Sequence, residues 1–389
     1  MHPMVKPALR RAWRGLRCVQ FGVTPAHAVV LDPVDPGTGS VLGLLDGTRG
    51  VDLLRAEARA RGLPEGHLDA LLGRLESAGL LADAATGRPG RPGPAAGARD
   101  SALDPLRADL ASLSVVHPEP DRAARTLAAR RALRVQVRGA GRVGTMVAAL
   151  LSAAGVGTVE VLDSGRVEPW ETSPGGLPPE SVGERRATAA RRLVGSWRRG
   201  RGAAVRPGAA AAGRGPGERG GGTGLSLVVV TPRDGLGAYV PDPLPAGGWV
   251  ATGTPHLYAG VLEATGTVGP LVLPGGTACA RCLQEARTDG EPVWPRLLAQ
   301  WRSGAPHPLP ACDLGLATAV AGLAAAHALV FLDGDLPAST GTRWEASLPL
   351  LEWRAERLRP HPACPCGAAR AGEGERASAA GGAQDTMAG

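Results

Sequence analysis

The sequence predicts an α/β protein with a mostly parallel sheet and flanking helices, and three observations carry that prediction. A strand, a glycine turn, a helix and a second strand follow one another over Leu133–Asp163. A continuous apolar run, Leu225–Thr231, comes later in the chain, and two close cysteine pairs stand near its end. A small α+β, winged-helix-like domain precedes this body, and a zinc-binding part closes it.

In the first of these stretches Val135 and Val137 alternate as in a strand, and Gly139, Gly141 and Gly144 complete a G-x-G-x-x-G. Met146–Ala154 is rich in helix formers, and Val159, Val161 and Leu162 lead to Asp163. Strand, glycines, helix, strand and terminal acid within about 30 residues make a Rossmann-like mononucleotide unit. Glycines let backbone approach a phosphate, and a helix N-terminus offers free N–H groups to it. A carboxylate ending the second strand is suited to ribose hydroxyls. Gly139, Gly141, Gly144 and Asp163 are therefore the candidate nucleotide-binding residues.

The apolar run Leu225–Thr231 reads as a parallel strand buried on both faces, with Asp234 just past its C-terminal end. A helix is expected over Val182–Ser196. His256–Ala264 and Thr267–Leu273 read as a hairpin turning at Thr265-Gly266. Leu316–Leu332 is apolar apart from Thr318 and His327 and approaches membrane-spanning length, but its Ala and Gly content reads as a buried helix.

Ahead of this body, residues 1–83 read as a separate module. Two strands are expected over Leu16–Phe21 and His27–Leu31, and short helices over Ser40–Leu45 and Val51–Arg61. A third helix carries Leu68, Leu71, Leu72 and Leu75 and ends before Gly79. As a DNA-binding unit it would approach phosphates with Glu65, Asp69 and Glu76 against Arg74 alone, which opposes that use. Residues 84–114 read as a linker whose Ala84–Ala102 part is Gly/Pro/Ala-rich, 115–366 as the nucleotide-binding domain, and 367–389 as a disordered tail.

The net charge of +7 comes from one place. Between Arg185 and Arg219 ten arginines face one acid, Glu218, and Trp197 is the lone aromatic. Nucleic-acid surfaces interleave such charge with aromatics, so a solvated low-complexity insert over about 200–224 is the better reading. The N-terminus has no apolar h-region of a secretory signal. A cytoplasmic protein is expected, and in that compartment six cysteines are ligands, nucleophiles or core thiols rather than disulfides. Cys279 and Cys282 form C-x-x-C, and Cys364 and Cys366 form C-x-C. Together they offer the four sulfurs of a structural Zn²⁺, with His361 a possible substitute ligand. No strand-to-helix start frames the C-x-x-C as a redox motif would require.

Taken together, Gly139–Asp163, the VGERR of Val182–Arg186, the strand before Asp234, the CARC of Cys279–Cys282 and the final cysteine pair resemble the ThiF/MoeB-type, ubiquitin-activating-like adenylyltransferases. The resemblance covers roughly residues 115–366. It implies ATP and Mg²⁺ as cofactors, adenylation of the C-terminal carboxylate of a peptide or small protein, a Cys₄ zinc and a homodimer. By position it makes Arg186 a phosphate contact, Asp234 a magnesium ligand and Cys312 an acceptor nucleophile. The first module, through Leu44–Leu54 (LLDGTRGVDLL), resembles PqqD-like peptide-recognition domains. That implies a precursor peptide as partner, added as a strand to a sheet edge.

Departures from the family pattern accompany the match. Gly165 stands where a second acid is usual, Arg186 replaces a lysine, and Glu168–Glu180 contains no arginine. A weakened relative that binds a leader peptide and delivers it to another maturation enzyme is therefore an alternative function. An NAD-dependent oxidoreductase is a second, since the glycine motif with Asp163 suits a dinucleotide equally well.

Overall fold

The computed structural model describes residues 1–84, 104–199, 224–303 and 309–370. The described residues fall into two compact units, Met1–Ala129 and those from Arg130 onward. Most of the Gly/Pro/Ala stretch at 85–103, the 200–223 insert and the tail from 371 lie outside the described residues.

The first unit holds five strands: β1 (Pro3–Val5), β2 (Arg11–Gly15), β3 (Cys18–Phe21), β4 (Val29–Leu31) and β5 (Leu81–Asp83). Its helices are α1 (Pro36–Leu42), α2 (Val51–Ala60), α3 (His67–Ser77), α4 (Arg107–Val116) and α5, which begins at Arg122 and ends at Arg130. β1 and β5 pair antiparallel, and β2–β3–β4 form an antiparallel sheet in that order.

The four leucines of α3 are all buried and join Phe21, Leu31, Leu42 and Leu54 in one core. Asp35 starts α1 by accepting the Thr38 N–H at 2.9 Å, which satisfies one of the orphan donors at its N-terminus. Lys6, the chain's single lysine, is 1% exposed and donates through Nζ to the His117 carbonyl at 2.7 Å, beyond the end of α4. Helix α4 occupies part of the stretch expected to be linker.

The second unit is a seven-stranded sheet. Its strands are β6 (Arg134–Arg138), β7 (Thr158–Leu162), β8 (Leu227–Val230), β9 (His256–Leu262), β10 (Thr265–Val272), β11 (Thr342–Ser347) and β12 (Arg354–Arg357), in the order β12-β11-β10-β9-β8-β6-β7. β7, β6, β8 and β9 run parallel, and the three strands beyond β9 pair antiparallel in turn.

Helices α6 (Arg142–Ala153), α7 (Arg186–Arg199), α8 (Leu236–Tyr239), α9 (Pro243–Ala251), α10 (Ala280–Gly290), α11 (Trp294–Ser303) and α12 (Leu314–Leu332) flank it. α12 is the one described helix long and apolar enough to cross a membrane. It packs instead on α6, β9 and β10, burying Leu316, Val320 and Ala324 with Val135, Val137 and Leu257.

Several expected boundaries move. α1 spans Pro36–Leu42 rather than Ser40–Leu45, and β3 covers only Cys18–Phe21 of the strand expected over Leu16–Phe21. The hairpin turns at Glu263 and Ala264, both at positive φ, two residues before the expected turn. α7 starts at Arg186 rather than Val182, because a short 3₁₀ turn at Pro179–Ser181 and Gly183 at φ +84° occupy the approach.

Candidate functional site

β6 ends at Arg138 and the chain passes through Gly139 into α6, whose first residue is Arg142. Two of the glycines are required by contact. At Gly139 (φ +113°) a Cβ would stand 1.9 Å from the Thr231 carbonyl oxygen, and at Gly144 one would stand 2.0 Å from the Gly139 oxygen. The loop is thus pressed against the end of β8. Gly141 differs, because it faces the Arg233 side chain and serves as the N-cap of α6 without a side-chain cap.

Asp163 follows β7. Its Oδ2 accepts the Ala140 N–H at 2.6 Å and its Oδ1 accepts Arg186 Nε at 2.8 Å. Its side chain is 9% exposed. Arg186 is itself buried: Nη1 donates to Glu171 and to the Arg166 carbonyl, and Nη2 to the Ser164 carbonyl. Burial alone would lower its pKa, but hydrogen bonds and charge from Asp163 and Glu171 outweigh this and raise it. A side chain at Gly165 would meet Arg186 Nη2 at 2.7 Å, so the missing second acid and the arginine belong to one packing arrangement.

Beside the loop lies a cavity of ≈240 Å³ lined by Gly141, Arg142, Trp170, Glu171, Arg233, Leu309, Pro310 and Cys312. Cys312 precedes α12, and its carbonyl accepts Arg142 Nη1 at 2.8 Å. Burial pushes its thiol pKa up, Arg142 offsets part of this, and Asp313 adds to the rise. The structure therefore brings Cys312 to the glycine loop. Asp163 and Arg186 sit behind this cavity, tied to Glu171. Asp234 is exposed, accepts the Leu236 N–H at the start of α8 and does not line the cavity.

Three lining residues, Arg142, Glu171 and Arg233, were not singled out from the sequence. Arg142 carried a signal, as the cation inside the glycine motif at the first position of the helix. A Mg²⁺ ion needs oxygen ligands, preferably carboxylates. The one acid on the cavity wall, Glu171, is already engaged by Arg186 and Arg233, so these residues do not fit that ion.

The four cysteines do fit a metal. Their sulfurs all lie within 4.8 Å of one another, with Cys279–Cys282 at 3.8 Å, Cys279–Cys364 at 3.7 Å and Cys282–Cys366 at 3.5 Å. A tetrahedron with Zn–S bonds of about 2.3 Å has edges of about 3.8 Å. His361 is not needed: its Nε2 pairs with Asp289 Oδ2 at 2.8 Å. Bound there, a zinc ion would join the start of α10 to the chain beyond β12.

The ThiF family model matches residues 121–203 and 246–366, just over half the chain. Among solved structures, E. coli MccB with AMPCPP and MccA superposes with a TM-score of 0.66 at 14% identity, covering 95% of this chain and 100% of that one. E. coli MccB with ATP gives 0.63 at 13%, covering 94% and 99%. The heterocyclase TruD gives 0.57 at 16%, covering 96% of this chain but 44% of that longer one. No curated protein sequence matches. At these identities the structural likeness establishes the fold, and the family model establishes the kinship: the chain belongs to the ThiF family.

Proposed function

We propose that this protein binds a precursor peptide and holds an adenine nucleotide at the Gly139–Gly144 loop to adenylate the peptide's C-terminal carboxylate, as a step in the maturation of a ribosomal peptide. The observation that carries the reading is the charge around the cavity beside Gly141. Arg142 and Arg233 line it against a single acid, Glu171, which Arg186 pairs from behind, and the N-terminus of α6 adds its free N–H groups. A carboxylate and a phosphate repel one another, and fixed cations between them lower the cost of bringing them together. Asp163 would reach the ribose by its remaining lone pairs, and Cys312 stands at the cavity as a candidate acceptor thiol.

The MccB structures with MccA and with ATP support a peptide substrate and ATP for this chain by analogy. The first unit supports peptide docking. β2 is an edge strand paired on one side with β3, its residues are all exposed, and Trp13 and Leu16 wall an open trough with Gly39. Arg10, Arg11, Arg14 and Arg17 line the strand and its ends, which favours an acidic peptide added as a further strand. A homodimer in a reducing cytoplasm is the setting we propose, with light scattering as the check on the assembly.

A second reading has its own observation. Asp163 and Arg186 are committed to each other, and Asp234 is turned to the Leu236 N–H at the start of α8. Such a site suits a partner that holds a leader peptide and delivers it to another enzyme. ATP–pyrophosphate exchange with candidate precursor peptides decides between them. Peptide-dependent exchange is the expected result; tight peptide binding with no exchange would sink adenylation and leave the delivery role.

A further inference from the structure

The cavity at Gly141 has positive charge to spare and no free acid. Glu171 is 2% exposed. Its carboxylate takes Arg186 Nη1 at 3.3 and 3.1 Å, the Glu168 N–H at 2.9 Å and Arg233 Nε at 3.5 Å. Arg142 makes no ion pair among the described residues, and its buried Nε has no hydrogen-bond partner; only its Nη1 is engaged, on the Cys312 carbonyl. Arg233 has a single long contact, to Glu171, and its side chain remains 31% exposed. Two guanidiniums with unspent donors thus face one cavity beside a helix N-terminus. That wall attracts an anion and repels a divalent cation.

We infer that the site takes the phosphates of its nucleotide as bare anions, with Arg142 and Arg233 as the fixed counter-charge and no divalent ion at this wall. The inference rests on the nucleotide reading above and deepens it. Arginine suits the task because its guanidinium stays charged at every physiological pH and grips phosphate oxygens in pairs.

The test is isothermal titration of the full chain with ATP, in buffer freed of divalent ions on a chelating resin and again with excess Mg²⁺. EDTA is avoided because it would strip the cysteine site. ATP is expected to bind at least as tightly without Mg²⁺ as with it. Arg233→Ala should weaken binding about tenfold in both buffers, the loss expected for a hydrogen-bonded charge. Arg233→Asp should abolish binding in the metal-free buffer and recover part of it when Mg²⁺ is added, a response that mere misfolding does not give. Wild-type binding that requires Mg²⁺ overturns the inference and leaves the nucleotide reading standing. No ATP binding in either buffer overturns the nucleotide reading, and the inference with it.

Discussion

Arg186 donates through Nε to Asp163 Oδ1 at 2.8 Å, and the same guanidinium reaches Glu171 and two backbone carbonyls. One side chain therefore fixes both the acid after β7 and the acid on the cavity wall. A lysine has neither the planar fork nor enough donors to hold these partners in one plane. The replacement of lysine by arginine here is thus tied to the architecture of the loop.

Removing that guanidinium strips two buried carboxylates of the cation they share. Arg186→Ala is expected to destabilise the second unit by about 3–5 kcal/mol, the usual cost of breaking a buried ion pair from one side. Thermal unfolding followed by circular dichroism checks this, and a melting temperature equal to wild type would show that the network bears no weight.

Zinc analysis by plasma emission should find one ion per chain, and Cys282→Ser or Cys364→Ser should lose it. The same variants should unfold at lower denaturant concentration, since the energy of binding a structural metal is folding energy. Zinc-free protein with unchanged stability would refute the metal centre.

The thiol of Cys312 should be a sluggish nucleophile. Burial raises its pKa above the ordinary value of 9.0, so less thiolate exists at any neutral pH than for a free cysteine. Alkylation mapped by mass spectrometry should be slow at pH 7 and climb as pH passes 9, and Arg142→Ala should slow it further by removing the cation that offsets burial. Fast labelling at pH 7 would reverse this picture and favour the acceptor role.

Charge on the β2 edge is open to a direct test. Arg11→Glu combined with Arg14→Glu should weaken binding of an acidic leader peptide by about tenfold or more, from like-charge contacts at the docking edge. Wild-type affinity, read by fluorescence anisotropy, should fall as salt rises. Affinity indifferent to both changes would remove the edge strand from peptide docking.

The glycine unit was legible because its signals are local. Alternating valines, three glycines and a terminal acid occur in one window, and α3 showed its four leucines at helical spacing. β2 (RAWRG) was not legible as a strand because it is an exposed edge, with no buried face to impose alternation. β12 (RAER) escaped for the same reason, and β11 (TRWEAS) because its partly buried face carries Arg343, a charge that pairs across the strands with Glu356 instead of an apolar residue. The hairpin turn was misplaced because Glu263 and Ala264, not a glycine, take the positive φ angles. Site residues reached through sequence-distant folding, Arg233 and Glu171, carry no motif. Their meaning comes from Arg186, which lies 15 residues from Glu171 in sequence and pairs with it in space.

The seclusion of Lys6 gives the chain an unusual chemical economy. No ε-amine is accessible anywhere in the native protein, because the single one present is sealed against the His117 carbonyl. Acylation of a lysine amine would therefore be silent until the first unit opens, and would then fall on Lys6 Nζ. Time-resolved acylation at that atom turns the residue into a one-site clock for opening of the unit that we propose receives the peptide.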